Sequence, residues 1–400
     1  MIQPEKIQEL AAAYAADVVA VREHLHAHPE LSFQETNTVA YVAEQLRQLG
    51  LDPQPVAGTG LVALIEGRNP ESRVVALRAD MDALPIQEQN DVPYKSTNPG
   101  VMHACGHDVH TASLLGAARI LMQVRDEFEG TIKLLFQPGE ELLPGGASLM
   151  IKDGVLENPR PQSVLGQHVF PHLPAGKIGL RAGRYMASTD ELYLTVRGKG
   201  GHGAMPEQNI DPVVVAAHII VAAQQIVSRR ASPKLPSVLS FGKVIANGAT
   251  NVIPNEVYIE GTFRTLNEEW RDEAHRHLRT LCEGLAASMG ASCELEIRRG
   301  YPYLENEPRL TARTRQAAEA YLGADNVAEL DQWMAAEDFA YYSQVSDACF
   351  YRLGTRAADG RYAASVHTPT FDIDKQALEV GPGLMAWLAL HELAALPSAK

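Results

Sequence analysis

The sequence predicts an α/β protein: a layered domain on a mixed, largely parallel sheet, interrupted by an inserted ferredoxin-like α+β unit. Three observations predict it. Short β-branched apolar runs alternate with helical patterns in the first part of the chain, which is the signature of helices packed on parallel strands. A strand-helix-strand-strand-helix-strand order then occupies roughly 110 residues, the length and order of a ferredoxin-like unit. After Tyr301 the helix and strand alternation resumes.

Taken in order, Val18, Val21, Leu25 and His28 fall at helical spacing, and Val39, Val42, Leu46 and Leu49 repeat it before Gly50 stops a second helix. His28-Pro29-Glu30 separates the two. Leu61 to Glu66, Val74 to Leu77 and Thr131 to Phe136 are apolar runs bounded by Gly or Pro and read as strands, with a helix from Thr111 to Val124. Glu191 to Arg197 alternates as a strand, Asp211 to Ser228 is a helix opened by Asp-Pro, and Ser237 to Val244 and Val257 to Arg264 are strands. Glu268 to Ala287 is an amphipathic helix and Cys293 to Arg298 a final strand. Leu310 to Leu322, Cys349 to Leu353 and Lys375 to Leu393 follow as helix, strand and helix. The expected division is a discontinuous domain of 1–186 with 299–400, and an insertion of 187–298.

Composition narrows the function classes. Among 400 residues, 49 are acidic and 35 basic, and the resulting charge of -14 repels the phosphates that a nucleic-acid binder must neutralise. Glu5, Lys6 and Glu9 interrupt the N-terminal alanines, unlike a signal peptide, and no run approaches the ~20 apolar residues of a membrane span. Cys105, Cys282, Cys293 and Cys349 are scattered, which fits a reducing compartment better than a disulfide framework. The expectation is a cytoplasmic protein with neither nucleic-acid nor membrane partners.

The chemistry concentrates in a few segments. Met102-His103-Ala104-Cys105-Gly106-His107-Asp108-Val109-His110 packs metal-ligand types between Pro99-Gly100 and the helix expected near Thr111. On an extended loop, Cys105 and His107 would point at one spot. Turn chemistry and helix capping also account for such a segment. Gln137-Pro138-Gly139-Glu140-Glu141 puts adjacent carboxylates at a strand's C-terminal edge, where open α/β sheets bind ligands and where acids repel unless cations share the site. A solvated charge pair is the plainer reading. Arg78-Ala79-Asp80-Met81-Asp82-Ala83-Leu84-Pro85 ends another strand, where Asp80 either accepts the free N–H of a ligating histidine or makes a turn. His168 and His367 each follow an apolar run.

From His24-x-x-x-His28-Pro29-Glu30 to His367-x-Pro369-x-Phe371-Asp372, these segments stand in an order that resembles one family over nearly the whole chain. It is the aminoacylase and amidohydrolase branch of the dinuclear-metal carboxypeptidases, with hippurate hydrolases, auxin-conjugate hydrolases and glutamate-releasing carboxypeptidases. The resemblance implies an exopeptidase-like catalytic domain with a lid and dimerisation domain inserted. It implies that Cys105, His107, Glu141, His168 and His367 hold two divalent ions, with Cys105 as the bridge, Glu140 as general base and Asp80 as an acid behind the ligands. The mixed S, N and O donor set does not separate Zn, Mn, Co and Ni. His202, in the glycine-rich Gly198-Lys199-Gly200-Gly201-His202-Gly203, looks like the family's donor to the oxyanion, which reaches a neighbouring subunit's site and so implies a homodimer. Asn251 and Arg264 look like the grip on a substrate carboxylate.

The chain departs from the family pattern at Leu142-Leu143-Pro144 after Glu141, at Glu207 after Pro206 and at Ala336 before Glu337-Asp338. None of these removes a ligand, though the first two bear on the substrate pocket. The expected activity is hydrolysis of the amide bond of an N-acyl amino acid. The alternatives are a carboxypeptidase or dipeptidase on the same centre, and a non-catalytic amino-acid or metal-binding protein. Gly198-x-Gly200-x-x-Gly203 formally matches a dinucleotide motif, but the next helix begins too late for it.

Overall fold

A computed structural model describes residues 2–397, which divide into two compact units. The first comprises Met1–Gly183, Glu305–Asp331 and Asp338–Lys400; the second, Arg184–Leu304 and Gln332–Glu337. The expected insertion, 187–298, lies inside the second unit. The return of residues 332–337 to that unit has no periodic signal in the sequence.

The first unit is built on an eight-stranded sheet in the order Gln54–Val56, Gly60–Glu66, Thr131–Gln137, Val74–Asp80, Ser163–Pro174, Asp347–Arg356, Ile178–Leu180, Val327–Glu329. Its four central strands, Thr131–Gln137 to Asp347–Arg356, are mutually parallel, and antiparallel pairings lie on either side. Every residue of Val74–Asp80 and of Thr131–Gln137 is buried, as expected of parallel strands covered on both faces.

Helices Pro4–Ala27, His107–Gln123 and Ala377–Ala395 pack against one another, and the last two also against the sheet. The middle helix is buried almost all round. Gly116 makes that approach possible: a Cβ there would lie 2.7 Å from Val18 Cγ2 and 2.8 Å from Pro382 Cβ.

The second unit is a four-stranded antiparallel sheet in the order Ser237–Ile245, Glu256–Thr265, Asp190–Arg197, Ser292–Arg299. Its helices are Pro212–Gln225 and Glu268–Ser288, giving the strand-helix-strand-strand-helix-strand order read from the sequence. Asp211 caps the first helix by accepting from Val213 N at 2.8 Å, and Asn267 caps the second through Trp270 N at 2.7 Å. The segment Pro212–Arg230 is long and apolar enough to cross a membrane by composition, unlike the sequence expectation. Here Val215, Ala216, Ile219, Ala223 and Ile226 instead form its buried face in the core of the second unit. Asp190 ties strand to helix: it is buried, accepts from Arg271 Nη2 at 2.6 Å and Nε at 2.9 Å, and lies 2.6 Å from His275 Nε2.

Candidate metal centre

Segments far apart in sequence deliver polar side chains near the carboxyl ends of the central parallel strands, the usual ligand edge of an open α/β sheet. Asp80 is the last residue of Val74–Asp80, Glu140 and Glu141 follow Thr131–Gln137, His168 lies within Ser163–Pro174, and His367 follows Asp347–Arg356.

The segment around Cys105 differs from the extended loop expected. Gly106, at φ 79°, turns the chain directly into the helix His107–Gln123, so His107 and His110 stand on its first turn. Glycine is needed twice over, because a Cβ at this φ would also meet Val169 Cγ2 at 2.6 Å. Asp108 is therefore inside the helix rather than capping it, and receives Arg22 Nε at 2.8 Å.

The donors gather around the sulfur of Cys105, which is 3.4 Å from His168 Nε2 and 3.3 Å from His367 Nε2. His367 Nε2 is also 3.1 Å from Glu141 Oε1. One donor atom from each of Cys105, His107 and His168 lies within 4.8 Å of the others, and the same holds for Cys105, Glu141 and His367, and for His107, Glu140 and Glu141. Cys105 is shared by the first two groups.

Hydrogen bonds set which ring nitrogen each histidine offers. His168 Nδ1 donates to Val169 O at 2.8 Å, leaving Nε2 bare and facing the sulfur. His107 Nδ1 is 3.1 Å from Asp82 Oδ1, and its buried Nε2 has no hydrogen-bond partner among the described residues. His110 also clusters with Asp80 and His107, but both its nitrogens are spent: Nδ1 is 2.5 Å from Asp80 Oδ1 and Nε2 accepts from Val169 N at 2.8 Å. It has no lone pair left for an ion.

The carboxylate behind His107 is thus Asp82, where sequence reasoning expects Asp80. Residues two apart in a strand share a face, so Asp80 meets Arg78, whose Nη1 is 2.5 Å from its Oδ2, while its closest approach to His107 is 3.8 Å. Asp82, beyond the strand end, also accepts from Glu141 N at 2.9 Å and Ser32 Oγ at 2.6 Å. Glu35 is another residue the sequence did not single out. Its buried carboxylate accepts from Gly139 N at 2.8 Å, Phe33 N at 2.9 Å and Thr59 Oγ1 at 2.5 Å, fixing the loop that carries Glu140. Glu140 is itself buried and accepts from Asp338 N at 3.3 Å; Asp338 in turn receives Arg78 Nη2 at 2.8 Å. Nothing in the pattern around Glu35 marks it, whereas Asp82 and His110 stand inside segments already rich in ligand types.

Electrostatics test whether divalent ions suit this place. Burial alone would lower His107, yet the carboxylates of Asp80 and Asp82 hold its proton up to about 10. Burial, with Glu141, Glu140 and Asp80 nearby, pushes the Cys105 thiol well above its usual range. Burial and Arg352 keep His168 neutral, well below the ordinary imidazole value. Negative charge is in surplus, and protons sit on groups whose deprotonated forms ligate metals. The Nε2 atoms of His168 and His107, the second exchanging its proton for a metal, with a shared sulfur and clustered carboxylates, fit two divalent cations.

The remaining sequence candidates lie in the second unit. His202 is exposed; its Nδ1 accepts from Ala204 N at 3.1 Å, and its backbone pairs with Val252, beside the exposed Asn251. The glycines before it serve their own chain rather than a ligand: a Cβ on Gly198 would lie 2.1 Å from Ile210 O, and one on Gly200 2.4 Å from Ile253 O. Arg264 is half-buried on Glu256–Thr265, with Nη1 donating to Met334 O at 3.1 Å, and burial lowers it. No carboxylate among the described residues forms an ion pair with it.

Residues 76–391 match peptidase family M20/M25/M40. The chain is 46% identical over 310 residues to an N-acyl-L-amino acid amidohydrolase of Geobacillus stearothermophilus, covering 76% of this chain and 83% of that protein. It is 39% identical over 380 residues to an N-acetylcysteine deacetylase of Bacillus subtilis, covering 94% and 97%. The crystal structure of the Bacillus subtilis YXEP protein, a dinuclear metal binding peptidase from the M20 family, superposes with a TM-score of 0.82 at 36% identity, covering 96% of this chain and all of that one. A match of this length, with relatives this similar along nearly their whole lengths, makes the chain a member of peptidase family M20/M25/M40.

Proposed function

We propose that the chain hydrolyses the amide bond of N-acyl amino acids, releasing a carboxylate and a free amino acid. The observation that carries this reading is the sharing of Cys105 between two donor groups, with Glu140 beside the same cluster. Cys105, His107 and His168 would hold one divalent ion, and Cys105, Glu141 and His367 the other; Zn, Mn, Co and Ni all suit the donors. When bound, the ions would lower the pKa of the attacking water and polarise the amide carbonyl.

The chain's own residues account for the proton and the substrate. Glu140, held by Asp338 N, takes a proton from water as the water oxygen attacks the carbonyl carbon, and returns it to the nitrogen as the C–N bond breaks. Asp82 and Asp80 fix the imidazoles of His107 and His110. Arg264, with Asn251, receives the free carboxylate of the amino acid; a guanidinium half-buried without an acid partner supports that role. His202 donates to the oxyanion.

Homodimerisation through the second unit belongs to the same reading. The edge strand Ser237–Ile245 exposes Val244 and Ile245, and the helix Pro212–Gln225 exposes Val213, Val214 and Val221, apolar surface that a second copy would cover. The four cysteines are free thiols, as a cytoplasmic location would keep them.

The test is hydrolysis of N-acetyl-methionine, hippurate and a dipeptide by apo-protein reloaded with Zn, Mn or Co, beside a Glu140→Ala variant whose metal content is measured. Metal-restored release of the free amino acid, lost in a variant that still binds metal, supports the reading. Turnover of the dipeptide alone would make the chain a peptidase, and no turnover with two ions bound would overturn it.

A further inference from the structure

Behind the metal centre lies a buried charge network that the reaction itself does not use. Arg22, on the first helix, is 1% exposed; its Nε donates to Asp108 Oδ2 at 2.8 Å and its Nη2 lies 2.9 Å from Asp372 Oδ1. His26, one turn on, is completely buried, with Nδ1 2.7 Å from Asp108 Oδ2 and Nε2 3.1 Å from Glu88 Oε1. Tyr94 OH donates to Asp372 Oδ2 at 2.9 Å.

The two acids held by Arg22 stand on two different ligand-bearing segments. Asp108 directly follows His107, and Asp372 closes the segment that begins at His367. That second segment is strained: His367 has φ 62°, a left-handed conformation that a non-glycine residue keeps only where its surroundings enforce it. Enforcement comes from His367 N to Ala104 O at 2.8 Å, Gln89 N to Pro369 O at 2.8 Å, Asn90 Nδ2 to Phe371 O at 2.9 Å and the Arg22–Asp372 pair. Only the last of these is a charge pair, and only Arg22 also reaches the helix that carries His107.

We propose that Arg22 is a positioning residue that sets the distance between the Cys105–His107 segment and His367, and so governs the affinity of one of the two metal positions. The proposal rests on the metal reading above. Loosening the clamp on the Asp372 side should weaken the position formed by Cys105, Glu141 and His367, and leave the one formed by Cys105, His107 and His168 largely intact.

The experiment is a zinc titration of apo-protein against a chromophoric chelator, resolving two stepwise constants, for wild type, Asp372→Asn, Arg22→Lys and Arg22→Met, with thermal unfolding of each apo form. In Asp372→Asn, one constant should weaken about 10–100-fold, the usual effect of losing a group that orients a ligand, while the other moves by less than about threefold. Arg22→Lys, which keeps the charge but not the fork, should fall between that variant and wild type. Cobalt should still give thiolate-to-metal absorption at the retained position. Arg22→Met removes the cation between the two acids and leaves Asp108 with His26 and Asp372 with Tyr94; if it fails to fold, Asp372→Asn, which keeps the Arg22–Asp108 pair, decides the matter. Two constants that stay unchanged, or that weaken equally in a folded variant, would overturn the clamp. Wild type binding fewer than two zinc ions would instead overturn the dinuclear reading beneath it.

Discussion

Asp82 and Glu141 are joined by a 2.9 Å hydrogen bond from the backbone of the second to the carboxylate of the first, and the same carboxylate meets His107 Nδ1 at 3.1 Å. One buried acid therefore fixes both a histidine tautomer and the loop bearing an acidic donor. Asp82→Ala should weaken metal binding by about 10–100-fold, measured by chelator competition. Asp82→Asn, whose amide can still accept from one of the two partners, should lose less. An unchanged metal affinity in Asp82→Ala would mean that Asp82 serves only the loop.

Arg264 should act on substrate binding more than on turnover. Charge-assisted hydrogen bonds contribute about 1.5–3 kcal/mol, so Arg264→Met should raise KM for a substrate with a free carboxylate by roughly 10–100-fold. Steady-state kinetics on N-acetyl-methionine and on its amide derivative checks this. The variant and wild type should converge on the amide, which lacks the charge.

Asp190 should make the second unit acid-sensitive. Burial alone would raise its carboxyl, but hydrogen bonds from His275 and Arg271 hold it below the usual value of 3.8. A carboxylate depressed in the folded state binds protons less readily than in the unfolded chain. Its contribution is present above about 3.8 and fades as pH falls through the lower folded value. Asp190→Asn should cost about 1.5–3 kcal/mol near neutral pH, because the buried Arg271 loses its buried acid partner and keeps only the part-exposed Glu268 at 2.9 Å, and should flatten the acid limb of unfolding followed by tryptophan fluorescence. An acid limb identical to wild type would exclude this carboxylate as its source.

Gly116→Ala should destabilise the first unit, since its new methyl would lie 2.7 Å from Val18 Cγ2 and 2.8 Å from Pro382 Cβ. Overpacking of this kind costs about 1–3 kcal/mol, visible as a lower midpoint in urea. A compensating Val18→Ala change should recover part of the loss, because it removes the nearer contact.

Much of this architecture is legible in the sequence because its signals are local. The buried strands Val74–Asp80 and Thr131–Gln137 are apolar runs, and the second unit announces itself through Asp211-Pro212 and the amphipathic Glu268–Ser288. The gathering of Cys105, Glu141, His168 and His367 is not a local signal; the family resemblance suggested it, and strand order produces it. Three things escaped. The helix starts at His107 rather than near Thr111 because Gly106 adopts a positive φ, which glycine permits without requiring. Asp82 rather than Asp80 supports His107, since where a carboxylate points past a strand end depends on the turn that follows. Arg22 and Glu35 look like ordinary helix and turn charges, and only tertiary packing buries them beside the centre.

The order of the strands also sets an order of events during synthesis. Asp347–Arg356 is an interior strand, seated between Ser163–Pro174 and Ile178–Leu180, yet it is made after every other strand of that sheet, and His367 comes later still. The growing chain must therefore carry an unfinished sheet while the second unit, whose core uses only residues between 192 and 297, can close early. A chain ending at residue 346 should keep the Asp190–Arg271 pair protected from hydrogen exchange, leave the edge of Ser163–Pro174 open to self-association, and hold no ion at the position that needs His367.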